Sequence, residues 1–172
     1  LLVDTFCRIK TECELHIRGR IISYEYAQFL EDKASEKNKS EHLYFHEPVS
    51  PEDLIQRASE HDVGMAFEVL ANENRNLCIT NKICTYMTSG LAVVATDTEG
   101  QKFIMSTVPE AGVLLSNSNP ADIALEIDEL LKDPQKLQAM KSASRKGAEE
   151  KYNWEMEKQT LTNLVKEFIK KD

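Results

Sequence analysis

The fold of this chain is decided by residues 80–100, which read TNKICTYMTSGLAVVATDTEG. Ile79, Ile83 and Met87 recur every four residues and predict the apolar face of a helix. Gly90 predicts the left-handed stop of that helix. The run LAVVATD that follows is short and apolar, which predicts a strand buried on both faces. A helix that leads into such a strand is the repeating unit of a parallel α/β sheet.

The same alternation of strands and helices extends outward in both directions. Strands are predicted for CELHIRG, HLYFHEPV, VGMAFE and AGVLLS. Core-facing helix residues are predicted at Tyr26, Phe29 and Leu30, and at Ile123, Ile127, Leu130 and Leu131 in a helix that begins at Asn119 and Pro120. Ser50, Pro51 and Asp53 predict another helix start, and that helix should continue to Asp62. We therefore predict an α/β protein with a doubly wound parallel sheet and helices on both faces.

Length and composition limit the organisation of the chain. With 172 residues we expect one domain over residues 1–172, closed by a helical C-terminal tail over residues 135–172. Trp154 is interpreted as a packing anchor between these closing helices. The first residues, LLVDTFCRIKTE, look like the end of a helix with no strand before it. We therefore expect a fragment that lacks its first strand.

Charge and side-chain chemistry exclude several classes of function. A net charge of -8 argues against nucleic acid as a partner, although a helix N-terminus and one lysine can still hold a diphosphate. The histidines are scattered along the chain and the cysteines form no close pairs, so we predict free, mostly buried thiols and no metal site. No stretch approaches the ~20 apolar residues of a membrane span, and a cytoplasmic location is expected.

Candidate site residues follow from the rule that ligands of such sheets bind at the carboxyl ends of the strands. This rule selects Arg18 with Gly19, Glu68, and residues 96–100. In the helix of the opening motif, Lys82, Thr85 and Ser89 are spaced to share the face opposite the predicted core. Lys82 falls in the first turn, where a cation opposes the helix dipole, so local helix stability does not explain its position. Two interpretations stay open at this point: a solvated surface lysine, and a lysine that binds an anion such as a nucleotide diphosphate beside the free helix amides.

The order of elements, the segment NKICTYMTSGLAVVATDTEGQ and the later segment YNWE resemble the donor-binding half of glycosyltransferases with the GT-B fold, the retaining glycosyl transferases group 1. The resemblance covers essentially the whole chain. It implies a Rossmann-like domain that binds a nucleotide-diphosphate sugar without a metal or other cofactor. Two positions depart from the family pattern: Thr85 stands where the family has a glutamate that binds the ribose, and Ala92 replaces a proline.

The resemblance also implies roles for individual residues. Glu68 is the match for a catalytic glutamate that orients the donor sugar or its diphosphate, with Glu73 as the substitute if the loop is displaced. The implied donor-binding residues are Arg18, Gly19, Lys82, Thr85, Glu99 and Gly100.

The resemblance implies that the protein transfers a glycosyl group from a nucleotide-sugar donor to a carbohydrate, lipid or protein acceptor. The implied enzyme is similar to a hexosyltransferase. The resemblance implies a missing N-terminal acceptor domain, without which this chain alone should be inactive. Peripheral membrane contact, a role in polysaccharide biosynthesis and a homodimer are compatible with it. Two alternatives stay open: a noncatalytic glycosyltransferase-like interaction module, and a sugar-nucleotide epimerase of the same fold.

Overall fold

The computed structural model describes residues 1–69 and 71–169. Five strands and nine α-helices lie within these residues and alternate for most of their length. In chain order they are α1 (Leu2–Phe6), β1 (Leu15–Arg18), α2 (Tyr24–Ser35), β2 (Leu43–His46), α3 (Pro51–Ala58), β3 (Val63–Ala66), α4 (Glu73–Leu77), α5 (Asn81–Thr88), β4 (Ala92–Thr96), α6 (Glu99–Thr107), β5 (Gly112–Leu115), α7 (Pro120–Leu131), α8 (Pro134–Glu150) and α9 (Trp154–Ile169). The predicted α/β class, with parallel strands and a helical C-terminal tail, is confirmed.

The chain divides into two compact units, each of which contains one sheet. The first unit combines residues 1–54 with 115–137, and its strands β1 and β2 pair in parallel from Leu15 opposite Leu43 to Arg18 opposite His46. The second combines residues 55–114 with the chain from Gln138 onward. Its strands follow the order β3-β4-β5, and β3 and β4 are parallel. The predicted strands are thus present but shorter.

Strand β4 and helix α5 form the centre of the second unit. All five residues of β4 are buried, as expected for a strand covered on both faces. Ile83 and Met87 of α5 are fully buried, and Gly90 follows the helix with a φ of 71°, so these predictions are confirmed. The prediction for Ile79 was wrong: α5 begins only at Asn81, so Ile79 precedes the helix and is exposed.

The prediction that Ser89 lies on the polar face of α5 was also wrong. The helix ends at Thr88, and Ser89 is buried rather than polar surface. Close backbone packing in this unit depends on glycine. A Cβ at Gly64 of β3 would lie 2.3 Å from the Tyr86 ring, and one at Gly112 would lie 1.8 Å from the Val93 carbonyl oxygen. Only a residue without a side chain fits at these two points.

The first unit has its own apolar core, formed by Val3, Phe6, Leu15, Ala34 and Leu43. Helix α2 contributes Ala34 and the half-buried Leu30 to it, whereas Tyr26 and Phe29 stack on each other at 6.0 Å and are exposed. The prediction that both rings face the core was therefore wrong. They are apolar and correctly spaced, but the buried stripe of α2 runs through its smaller side chains.

Two of the predicted helix starts are confirmed by their capping hydrogen bonds. The Ser50 hydroxyl accepts a hydrogen bond from the Asp53 amide at 3.1 Å, and the Asn119 side chain accepts one from Ala121 at 2.9 Å. The helix at Ser50 ends at Ala58, not at Asp62. Trp154 was predicted as a packing anchor, but it is the exposed first residue of α9. The predicted core face of α7 is confirmed at Ile123, Ile127 and Leu130, with Leu131 half-buried.

Candidate functional site

Glu68 lies two residues after the end of β3 and is the buried centre of a charged cluster in the second unit. Its side chain is 3% exposed. Its backbone N–H donates to the Thr96 hydroxyl at the end of β4, at 2.9 Å, and that hydroxyl also lies 3.4 Å from the Gln101 side-chain amide nitrogen. The carboxyl ends of two parallel neighbouring strands thus fix the backbone of Glu68, as the position of ligand sites in such sheets leads one to expect.

Two cations share the Glu68 carboxylate, one on each oxygen. The Lys82 ammonium binds Oε1, and the Arg75 guanidinium donates from one terminal nitrogen to Oε2 at 3.2 Å. Both cations are partly exposed, at 46% for Lys82 and 57% for Arg75. A buried carboxylate therefore lies behind two cations that reach solvent, and the three side chains together carry one positive charge in excess.

The pKa of Glu68 reflects two opposing effects. Burial raises the pKa of this carboxyl, because the charged form loses water. The hydrogen bond and charge of Lys82, followed by the Thr80 side chain and the charge of Arg75, more than offset burial, so the pKa of Glu68 lies below its ordinary value. Glu68 is therefore ionised at neutral pH. Its charge is also the second cause, after burial, that raises the pKa of Tyr86 on α5.

The first turn of α5 places Lys82 beside backbone donors. Thr80 is the N-cap residue, and its side chain makes no capping hydrogen bond to the helix. The first amides of a helix have no partner within the helix and attract anions. Lys82 is the second helical residue, so its cation adds to the positive end of the dipole. This confirms the predicted location of Lys82 in the first turn.

Helix α4 carries Arg75, and two contacts hold it on the N-terminus of α6. The Asn76 side chain accepts a hydrogen bond from the Glu99 amide at 3.1 Å. A Cβ at Gly100 would lie 2.4 Å from the carbonyl oxygen of Cys78, which directly follows α4. The absence of a side chain at Gly100 therefore lets α4 approach α6 and brings Arg75 towards Glu68.

The structure brings some of the predicted site residues together and separates others. Glu68 and Lys82 are in direct contact, and Thr85 is half-buried one turn further along α5. Glu99 is exposed on the first turn of α6 and pairs with Lys102 at 3.0 Å. Glu73 is exposed on α4, so Glu68 rather than Glu73 is the buried carboxylate of this cluster.

Arg18 and Gly19 belong to the first compact unit. Arg18 ends β1, and its guanidinium donates to the Glu47 carbonyl oxygen at 2.8 Å. Gly19 is exposed, and a Cβ built on it would have no atom within 4 Å.

Arg75 is a cluster residue that the sequence pattern did not indicate. The pattern of residues 69–79 predicts a loop, but Asn72 caps the short helix α4 through a hydrogen bond from the Arg75 amide at 2.9 Å. Asn before a short polar run is a recognisable helix start and was the one available signal. Thr96 is selected by the strand-end rule, but its hydrogen bond to the Glu68 backbone depends on the pairing of β3 with β4.

The histidines are less scattered than the sequence suggests. His16 and His46 lie on the paired strands β1 and β2, with ring nitrogens 2.8 Å apart, and the other nitrogen of His16 is 3.0 Å from Glu14. Among residues 1–69 and 71–169, no group of three or more metal-ligating side chains is suitably arranged. All four cysteines are free thiols; Cys78 is exposed and the other three are half-buried, so the expectation of mostly buried thiols was too strong. None of the helices in these residues is both long and apolar enough to cross a membrane.

Comparison with solved structures shows the fold. Anabaena HepE, solved in complex with UDP and glucose, has a TM-score of 0.77 and 18% sequence identity over 96% of this chain and 44% of its own. Sucrose-phosphate synthase from Thermosynechococcus elongatus has a TM-score of 0.78 and 18% identity over 99% of this chain and 42% of its own. WaaG, a glycosyltransferase involved in lipopolysaccharide biosynthesis, has a TM-score of 0.69 and 13% identity over 92% of this chain and 41% of its own.

The family is shown by a match over most of the sequence. This chain spans less than half the length of the solved structures just described. No curated protein matches it. The family model for glycosyl transferases group 1 matches residues 1–133, which is more than half of the 172 residues. The chain therefore belongs to the glycosyl transferases group 1 family.

Proposed function

We propose that this chain binds the nucleotide-diphosphate sugar donor of a glycosyltransferase, and that the diphosphate lies against Lys82, Arg75 and the N-terminus of α5. The observation that carries the proposal is the pair of partly exposed cations beside a helix N-terminus that lacks a side-chain cap. Cations and free helix amides are the groups that stabilise a leaving diphosphate when no metal does so. We accordingly propose donor binding without a metal ion.

Membership of the family is consistent with donor binding and acceptor binding by two different domains. HepE, of which this chain covers 44%, was solved with UDP and with UDP-glucose. We propose that here, too, an N-terminal domain supplies the acceptor site, and that the chain by itself binds donor but transfers no sugar. Arg18, Gly19, Thr85, Glu99 and Gly100 remain proposed donor-binding residues. The base, the sugar and the acceptor depend on loops and on that other domain.

The test is thermal unfolding of the chain with UDP, GDP, ADP and CMP in separate samples. A nucleotide at about 100 times its dissociation constant should add ~2.7 kcal/mol and raise the melting temperature by about 5–10 °C. Lys82→Ala should abolish the shift, because it removes the cation beside the α5 amides. The matched control is Lys158→Ala: Lys158 is also a helical lysine paired with a glutamate, and it is 45% exposed against 46% for Lys82.

The outcomes separate donor binding from the alternatives. A shift with one nucleoside diphosphate, lost in Lys82→Ala and retained in Lys158→Ala, supports the proposal and identifies the base. A chain that shifts with none of the nucleotides would contradict it and would favour the noncatalytic interaction module. Transfer or epimerisation of the matching nucleotide sugar by the full-length protein then separates the two enzyme classes.

A further inference from the structure

We infer that Glu68 is a resident counterion, which competes with the donor diphosphate for Lys82 and Arg75 and so weakens its binding. This inference rests on the proposed function, because it concerns the same two cations. It differs from the role that the family resemblance implies, in which this glutamate orients the donor. The two roles predict opposite effects of removing the Glu68 charge.

The geometry supports a counterion in three respects. Each oxygen of the Glu68 carboxylate accepts a hydrogen bond from one of the two cations. The carboxylate therefore binds the same donors that two phosphate oxygens would bind. Its side chain is 3% exposed, so it lies behind the cations rather than on the surface that a ligand approaches. Its backbone is fixed by the Thr96 hydroxyl at 2.9 Å. Glu68 is thus built into the cluster, while Lys82 and Arg75 have exposed side chains that a ligand can reach.

The energetic dependence between the partners is asymmetric. A buried carboxylate without a cation is strongly disfavoured, whereas half-exposed cations without a carboxylate are solvated by water. Glu68 therefore needs Lys82 and Arg75 more than they need Glu68. A diphosphate that binds the cations draws them from Glu68 and brings a second anion close to its charge. Both effects lower the affinity, which favours release of a nucleoside diphosphate after transfer.

The experiment uses inorganic pyrophosphate as a probe that does not depend on the base. Its affinity for the chain is measured by isothermal titration calorimetry in the wild type, Glu68→Gln, Glu68→Met and Glu68→Asp. Gln keeps the size of the side chain and an oxygen that accepts from Lys82, so it removes mainly the charge. Met is a second neutral variant that suits a buried position if Gln there unfolds the chain. Asp keeps the negative charge but shortens the side chain, so it shows the effect of a substitution at position 68 that does not remove the charge.

The neutral variants should bind pyrophosphate about 3- to 10-fold more tightly than the wild type, as expected on removal of one nearby charge in a partly exposed site. Glu68→Asp should bind no more tightly. Unchanged or weaker binding in the folded neutral variants would overturn the inference, as would the absence of pyrophosphate binding in every variant.

Titration of UDP and UDP-glucose separates this inference from the proposed function. If the neutral variants bind UDP-glucose more weakly and pyrophosphate with unchanged affinity, Glu68 contacts the sugar and the counterion role is wrong while donor binding stands. If pyrophosphate binding tightens as predicted but no nucleotide or nucleotide sugar binds, the counterion role stands and the proposed donor function is wrong. Tighter binding of both UDP and pyrophosphate supports both.

Discussion

Glu68 shows how one buried charge can be tolerated in a small α/β unit. Burial alone would favour its protonated form, but Lys82 and Arg75 keep its pKa below the ordinary value. A group whose pKa is lower in the folded state than in the unfolded state contributes stability above its unfolded pKa. That contribution is lost as the pH falls through the folded pKa. The ionised Glu68 is therefore a stabilising group at neutral pH and loses this role in acid.

Glu68→Gln should accordingly have a stability that responds less to acid. Relative to this variant, the wild type should lose free energy of unfolding as the pH falls below about 4.3, the ordinary pKa of a glutamate. Urea unfolding at pH 7 and pH 3 measures the difference between the two proteins at each pH. Glu155→Gln, which removes an exposed carboxylate on α9, is the control. The same difference between wild type and Glu68→Gln at both pH values would contradict the assigned pKa.

At the scale of elements, Gly100 is explained by packing in addition to its proposed role in donor binding. The Cβ of Gly100→Ala would lie 2.4 Å from a backbone carbonyl oxygen that cannot move independently, so we expect a steric cost near the upper end of the usual range, about 3 kcal/mol. Alanine gains ~1 kcal/mol over glycine in a helix, so the net loss of stability should be about 2 kcal/mol. Urea unfolding without ligand measures it, with Phe103→Ala on the exposed side of α6 as the control. If Gly100→Ala were as stable as the wild type or more stable, packing would not explain the glycine, and only its proposed role in donor binding would remain.

How far the sequence predicts these elements depends on whether the signal is local. The β4 run and the Ile83–Met87 spacing predict their elements because burial on both faces leaves a continuous apolar pattern. The orientation of α2 was wrong, since apolar spacing indicates a face but not whether a neighbouring element covers it. Lys82 was found through a local conflict with the helix dipole. Arg75 was missed because its contact with Glu68 depends on α4 packing against α6.

At the scale of the whole molecule, the described residues leave a large apolar surface on α9. Leu161, Leu164 and Phe168 are spaced three and four residues apart, so they share one face of the helix, and they are all exposed. Trp154, seven residues before Leu161, continues the same face. The apolar pattern of α9 is thus that of a packed helix, although α9 contributes none of the buried core residues of this chain.

Charged substitutions on α9 should therefore cost this chain little stability. Leu164→Glu combined with Phe168→Glu should change the free energy of unfolding by less than about 0.5 kcal/mol, because neither side chain leaves a core. Ile127→Glu on α7 is the comparison: Ile127 is 3% exposed, and a buried unpaired charge there should cost more than ~3 kcal/mol. Urea unfolding of the three proteins at pH 7 decides between these expectations. A loss of several kcal/mol in the α9 variant would mean that its apolar face is buried in solution, so that α9 stabilises this chain directly.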